Sequence, residues 1–247
     1  MKKTALILCG LLLAGQAAFA NSLGAGYGAT SEIYKSNETE HFLPIVDVEY
    51  NNFFMKGATV NGFSIGYNLY KDDFYAFSLY VKPFGGYKMD GDDMDYGYRG
   101  IDDREHKFMG GAEVKMYTGI YDIEMSASVD YGEEGGNVLF SMNRPYAVNS
   151  RLVLIPSVNF VYYNSDYIDY YFGVDRHEAT GKLRGREYEG DNAYTFGANL
   201  TGSFRLTDNF SLLGFMGINK LSDEIKNSPI VDNDILYYAG TAIVYTF

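Results

Sequence analysis

Apolar and polar side chains alternate with a period of two along much of this chain. From 121 to 131 the odd positions hold Tyr, Ile, Met, Ala, Val and Tyr, whereas the even positions hold only Asp, Glu and Ser. From 194 to 206 the even positions are mostly apolar, and the positions between them are small, polar or charged. A strand with one apolar and one polar face gives this pattern, and in a transmembrane barrel the apolar face meets lipid. The alternation predicts an all-β fold, a transmembrane antiparallel β-barrel.

The number of strands follows from where the alternating segments begin and end. They are 22–30, 42–50, 53–60, 62–70, 74–82, 107–117, 121–131, 137–148, 150–163, 193–206, 209–220 and 235–247. A barrel that starts and ends in the periplasm needs an even number of strands, with short periplasmic turns and long outer loops. About twelve strands satisfy this condition if Asn61-Gly62, a two-residue hairpin signal, separates two of them. A ten-stranded barrel is the alternative, because strands of eight or nine residues are short for a bilayer.

That topology sorts the connections by length. The long ones are predicted to be extracellular, at 31–41, 83–106, 164–192 and 221–234.

Both ends of the chain carry envelope signals. Residues 1–20 have a basic start, an apolar run and a final Ala18-Phe19-Ala20, which predicts a cleaved secretory signal peptide. Residues 21–247 are then expected to form a single outer-membrane β-barrel domain. The last strand ends on Tyr245 and Phe247, and we expect these two residues to be the assembly signal for the barrel-assembly machinery. The predicted location is the outer membrane of a Gram-negative bacterium.

Composition agrees with this location and limits the partners. The chain has 24 Tyr, 17 Phe and no Trp, and its formal net charge of −12 becomes −14 once Lys2 and Lys3 leave with the signal peptide. So acidic a chain is a poor partner for nucleic acid. The expected surroundings are outer-membrane lipid and lipopolysaccharide. The single cysteine, Cys9, lies in the signal peptide, so the mature chain has no disulfide.

Three motifs, in order along the chain, carry a resemblance. The segments 98–104 (YRGIDDR), 169–174 (DYYFGV) and 221–232 (LSDEIKNSPIVD) resemble the MltA-interacting protein (MipA/OmpV) family of Gram-negative outer-membrane proteins. The likeness extends through 44–50 and 244–247, whereas the charged stretch 175–178 (DRHE) departs from the family pattern.

The resemblance implies a non-enzymatic role in the cell envelope. It implies a scaffold or interaction protein linked to peptidoglycan machinery, with a lytic transglycosylase and a murein synthase as partners. Short periplasmic turns offer little area for such contacts, since a stable interface takes about 800 Å² from each partner.

A small outer-membrane pore or substrate-selective channel is the alternative function. Eight charged residues are expected to face the lumen: Asp47, Glu49, Glu113, Lys115, Asp122, Glu124, Asp130 and Arg205. They could line a cation-selective path, or they could pair with one another across a plugged lumen.

A second set of polar residues belongs to the predicted outer loops. These candidate loop residues are Arg99, Asp102, Asp103, Arg104, Asp223, Glu224, Ser228 and Pro229. Because charges of both signs are mixed, the set is expected to lock the loops over the barrel mouth, with ligand recognition as the alternative. The aromatic run from Tyr162 to Phe172 is either an interfacial girdle or, if its rings converge on the mouth, a ligand platform.

Catalysis and metal binding find weaker support. A lipid-modifying barrel enzyme is a remote alternative, because His41, His106 and His177 all lie in or beside outer loops, but no spacing places a serine next to any of them. The acidic segment 90–95 lacks the residue order of a calcium-binding EF-hand loop. No catalytic residue, metal site or cofactor is therefore expected.

Overall fold

The computed structural model describes residues 21–36, 40–57, 62–119 and 122–247, without the side chains of Glu40 and His41. The predicted signal peptide lies outside these ranges. Within them, the strands form one 13-stranded antiparallel sheet. The strands are β1 (Ser22–Thr30), β2 (Glu40–Tyr50), β3 (Phe53–Gly57), β4 (Ser64–Lys71), β5 (Tyr75–Gly85), β6 (Lys107–Tyr117), β7 (Glu124–Gly132), β8 (Gly135–Asn143), β9 (Tyr146–Ala147), β10 (Leu152–Tyr163), β11 (Ala193–Arg205), β12 (Phe210–Leu221) and β13 (Ile235–Thr246).

The sheet closes on itself. Strand β13 pairs with β1 along its length, from Ser22 opposite Thr246 to Thr30 opposite Tyr238. The two-residue β9 continues β8, because both pair with the same strand β10. The wall is therefore a closed barrel of twelve strands, as predicted, and the ten-stranded alternative is wrong. Closure satisfies the backbone donors and acceptors that lipid cannot.

The predicted split of 53–70 into two strands is confirmed. Strands β3 and β4 pair antiparallel, with Phe53 opposite Tyr67 and Lys56 opposite Ser64. Of the predicted Asn61-Gly62 turn, Asn61 lies outside the described residues, and Gly62 has a φ of 72°. A positive φ is the conformation that glycine adopts without steric cost.

The two ends of the barrel differ. Both termini of the barrel lie at one end, where the described connections are all short, and this is the periplasmic end in barrels of this class; the short turn between β7 and β8 lies at the other end. The predicted long loops emerge at the other end, as far as their residues are described. They carry two short helices, α1 (Ser165–Phe172) and α2 (Asp223–Lys226). No helix in the described part of the chain is long and apolar enough to span a membrane.

Alternation sets the two faces of the wall. In β11, Tyr194 and Phe196 are exposed on the outside, whereas Thr195 and Thr201 are buried on the inside. The inner face is itself divided. Apolar side chains from β2, β12 and β13 pack together on one side, and these are Leu43, Ile45, Leu213, Phe215, Tyr238, Ala242 and Val244. Polar side chains such as Ser78, Asp130 and Asn159 are buried on the other strands.

The long loops fold into a compact layer over the outer mouth, which we call the outer cap (residues 31–36, 86–106, 164–192 and 222–234). Its core consists of buried side chains from all four segments, including Tyr34, Met89, Met94, Ile101, Ile168, Phe172, Val174, Leu183, Ile225 and Ile230. Isolated bridges tie the segments together, with Tyr34 opposite Val231 and Ser36 opposite Met94.

Helix α1 is the central element of the outer cap. It begins at the Asn164 side chain, whose Oδ1 accepts a hydrogen bond from Tyr167 N at 3.2 Å. The chain passes very close to the helix at Gly86, where an added Cβ would lie 1.8 Å from Tyr171 Oη. Gly86 also has a φ of 77°, so both its conformation and the space around it require glycine.

Candidate functional site

The predicted loop residues around Arg104 are organised by a carboxylate that sequence reasoning missed. Glu178 is almost fully buried, and its Oε1 lies 2.9 Å from Arg104 Nη2. The same carboxylate accepts backbone N–H bonds from Asp102 and Asp175, each at 2.8 Å. It therefore joins segment 86–106 to segment 164–192. The available signal was the charged stretch 175–178, where the chain departs from the family pattern.

The other predicted loop residues mostly bind cap backbone. Arg99 Nε donates to Met94 O at 3.2 Å, and Asp103 Oδ1 accepts from Gly91 N at 2.8 Å. Among the residues near α2, Ser228 Oγ donates to Phe172 O at 2.6 Å, and Pro229 O accepts from Lys35 Nζ at 2.7 Å. The Glu224 carbonyl accepts from the Tyr188 hydroxyl, and Asp223 lies in the first turn of α2. These polar groups bind the cap itself.

The aromatic run contributes to the cap rather than to a girdle alone. Tyr162 faces outward, whereas the ring centroids of Tyr163 and Tyr167 are 4.9 Å apart and those of Tyr167 and Tyr171 are 4.6 Å apart. The Phe172 ring is fully buried beside Tyr87. Burial raises the pKa of the Tyr87 and Tyr167 hydroxyls well above the ordinary value. The rings converge on the mouth, but they fill it by packing on one another.

A possible metal-ligand group also lies in the outer cap. Within the described ranges, Asp102, His177 and Glu178 offer ligand atoms that lie within 4.8 Å of one another. Both Glu178 oxygens already accept hydrogen bonds, and the Arg104 cation occupies the same space. On the exposed side, His177 Nε2 lies 2.9 Å from Asp102 Oδ2, and this hydrogen bond raises the pKa of His177. The geometry is that of an ion-pair cluster holding two loops together.

Of the other two histidines predicted to lie in or beside outer loops, His106 packs edge-to-face against the Phe84 ring, with the ring centroids 6.3 Å apart. The side chain of His41 lies outside the described residues.

Four of the predicted lumen charges occur in ion pairs. Asp130 Oδ2 lies 2.5 Å from Nζ of Lys82, a lysine that the sequence analysis did not select. Glu113 Oε2 lies 3.7 Å from Lys115 Nζ, and both residues are buried. Nearer the periplasmic end of the barrel, Glu49 Oε1 lies 2.5 Å from Lys71 Nζ. Asp47 lies on β2 opposite Lys56 of β3. These charges compensate one another inside the barrel.

The remaining predicted lumen charges lie elsewhere. Asp122, Glu124 and Arg205 line a cavity of about 710 Å³ at the periplasmic end of the barrel, which we call the periplasmic vestibule. Its charged lining is completed by residues that sequence reasoning did not select, namely Asp73, Arg151 and Asp208. Apolar residues such as Phe74, Tyr117, Val153 and Ile155 form much of the rest of its wall. The barrel is thus covered by packed loops at its outer end and hollow at its periplasmic end.

The predicted assembly residues lie at the end of β13. The Tyr245 and Phe247 rings stack with centroids 6.2 Å apart, and the Phe247 ring is 59% exposed. Phe247 N donates to Asn21 O at 3.1 Å, which extends the seam between the last strand and the first.

Comparison with known proteins agrees with this architecture. Residues 23–247 match the family described as MltA-interacting protein MipA. The MltA-interacting protein of Escherichia coli K12 is 28% identical over 257 residues, covering 100% of both chains. A 24 kDa outer membrane protein of Pasteurella multocida is 27% identical, with 93% of each chain covered. Among solved structures, the NanC porin superposes with a TM-score of 0.52 at 11% identity, over 91% of this chain and 100% of the porin, which is a likeness of fold.

The predicted family and location are therefore confirmed. The family match covers residues 23–247, several relatives are named as outer-membrane proteins, and the fold resembles that of a porin. This chain belongs to the MipA family of outer-membrane β-barrels.

Proposed function

We propose that this barrel is a non-enzymatic interaction protein whose periplasmic rim binds a lytic transglycosylase. The observation that carries the proposal is the contrast between the two ends: the outer mouth is filled by the cap core, whereas the periplasmic mouth opens into a vestibule of about 710 Å³. A partner in the periplasm meets the hollow end of the molecule. The relative from Escherichia coli is named for an interaction with MltA, which supports the same class of partner here.

The vestibule addresses the problem of contact area. Turns alone offer a narrow ring, and a stable interface takes about 800 Å² from each partner. A partner that inserts a segment into the vestibule also contacts its inner walls, including Tyr117, Val153 and Ile155. Rim and wall together make a concave surface of the kind that accommodates a protruding loop. By family resemblance, a murein synthase is a further partner, recruited through the transglycosylase or beside it.

Site-specific photo-crosslinking in cells tests the proposal. A benzophenone amino acid at Ser150 or Asp208, both exposed on the periplasmic rim, is expected to crosslink to a lytic transglycosylase. The same probe at Tyr96, which is 85% exposed on the outer cap, is the matched control and is expected not to crosslink to it. Mass spectrometry of the adducts identifies the partner. Rim probes that capture no transglycosylase, in cells where one is expressed, would contradict the proposal.

The pore alternative makes a different prediction. A channel needs a continuous aqueous path, but the cap side chains pack on one another and the buried Lys82–Asp130 pair occupies the lumen. We therefore expect folded protein in planar bilayers to give no unitary currents. Reproducible current steps from protein that shows the heat-modifiable mobility of a folded barrel would favour the channel.

A further inference from the structure

Two arginines lie side by side at the floor of the barrel. Arg151 immediately precedes β10 and Arg205 ends β11, and Arg205 N donates to Arg151 O at 2.8 Å. Both have the same parity as inward-facing neighbours, Ile155 on β10 and Ser203 on β11, and both line the periplasmic vestibule. The two guanidinium groups therefore share one region of its wall.

Neither guanidinium has a partner among the described residues. No carboxylate oxygen of those residues lies within 4.0 Å of either group, and neither makes a side-chain hydrogen bond to them. Both side chains are exposed to the vestibule, and they make no ion pair there with a described residue although Asp208 lines the same cavity. By contrast, Lys82 and Lys115 in the lumen are paired. Adjacent like charges repel, and a bound anion between them relieves that repulsion.

Two serine hydroxyl groups lie beside the arginines and add hydrogen-bond donors to the same part of the vestibule wall. Ser211 on β12 is directly opposite Arg205 in the strand register, and Ser203 lies one inward position above it on β11. Both serines line the vestibule. Guanidinium groups bind carboxylates with two parallel hydrogen bonds, and hydroxyls donate a third. We propose that Arg151, Arg205 and Ser211 bind the carboxylate of a short peptide that enters from the periplasm.

The acidic residues of the vestibule favour a peptide over a simple anion. Asp73 lies on the turn before β5 and Asp122 on the turn before β7, and three strands and one strand, respectively, separate β5 and β7 from β10 and its neighbouring Arg151. Glu124 lines the same acidic side. These carboxylates repel a dianion such as phosphate, but they attract an ammonium group carried by the same ligand. A volume of about 710 Å³ lies within the range of about 300–1,000 Å³ usual for small-ligand sites.

Calorimetric titration of the full-length barrel in detergent micelles tests this site. The probe is the tripeptide Ala-Lys-Ala with a free carboxyl terminus, compared with its carboxyl-terminal amide and with inorganic phosphate. The free tripeptide is expected to bind, and the amide to bind at least about tenfold more weakly, because a charge-assisted pair of hydrogen bonds is lost. Replacing both arginines, R151Q and R205Q, is expected to cause a loss of the same size.

Arg144→Gln is the matched control. Arg144 is exposed at the same end of the barrel and lies outside the vestibule lining, so this variant removes one positive charge and is expected to leave tripeptide binding unchanged. Heat-modifiable mobility establishes that each variant is folded. Phosphate binding tighter than tripeptide binding overturns the peptide assignment. If the double variant binds the tripeptide as tightly as the unaltered protein does, the assignment of the carboxylate to Arg151 and Arg205 is overturned. If neither the free tripeptide nor phosphate binds, the site is overturned, whereas the photo-crosslink to a transglycosylase is a separate readout that these results do not affect.

Discussion

Replacing Glu178 with alanine is expected to loosen the outer cap by about 3–5 kcal/mol, the usual cost of removing one partner of a buried ion pair. The Glu178 side chain is 1% exposed and that of Arg104 is 9% exposed, so the substitution leaves a buried guanidinium without its carboxylate. It also removes the acceptor for the N–H groups of Asp102 and Asp175. The effect is local, because the barrel wall closes through strand pairing that does not involve this residue.

Hydrogen exchange followed by mass spectrometry measures this change. Peptides from 86–106 and 164–192 are expected to exchange about a hundredfold or more faster, since each 1.4 kcal/mol in the opening equilibrium is a factor of ten. Glu187→Ala removes the same charge from an exposed position in the same loop and is the control. If the two variants exchange alike, Glu178 does not hold the loops together.

Deleting Phe247 is expected to reduce barrel assembly several-fold and to change the stability of the assembled barrel much less. The Phe247 ring is 59% exposed and stacks on Tyr245 at a centroid distance of 6.2 Å, so its side chain contributes about 1 kcal/mol to the folded state, beside the backbone bond from Phe247 N to Asn21 O. An exposed ring that contributes so little to stability, yet ends the strand that closes the barrel, is suited to recognition during assembly.

Two measurements separate these effects. The amount of heat-modifiable barrel in outer-membrane fractions reports assembly, and the temperature at which that form is lost reports stability. Phe210→Ala is the control. Phe210 is an exposed aromatic residue at the same rim, its ring centroid lies 5.1 Å from that of Tyr245, and it is not the terminal residue. Equal assembly of the full-length and truncated chains would show that Phe247 is not the signal.

The two-ended architecture reconciles the family resemblance with the topology. Parity places the three family motifs at the outer end, where a periplasmic enzyme cannot reach them. In the structure these segments carry residues such as Ile101, Phe172 and Ile230, which are buried in the cap core. Their role in the fold is to cover the mouth, and the surface left for periplasmic partners is the vestibule at the other end.

By itself the sequence determined the fold class and limited the number of strands to about twelve, with ten as the alternative that the structure excluded. Lipid on one side of the wall and the lumen on the other impose a period of two, so alternation located the strands to within a few residues, as for 107–117 and β6. The least regular part of the pattern was 53–70, where parity called for two strands because an odd count would have put the barrel termini at opposite ends, and the pairing of β3 with β4 confirmed the split.

Only the tertiary structure decided how the interior and the cap are arranged. Arg104 and Glu178 are 74 positions apart, and Lys82 and Asp130 are 48 apart, so no local pattern could pair them. Arg151 and Arg205 likewise lie side by side only because β10 and β11 are neighbouring strands in a register that places these two residues opposite each other. Alternation specifies which face a side chain occupies, but strand register and loop folding decide which residues meet on that face. That is why the barrel could be predicted from the sequence, whereas the buried Glu178 contact and the vestibule could not.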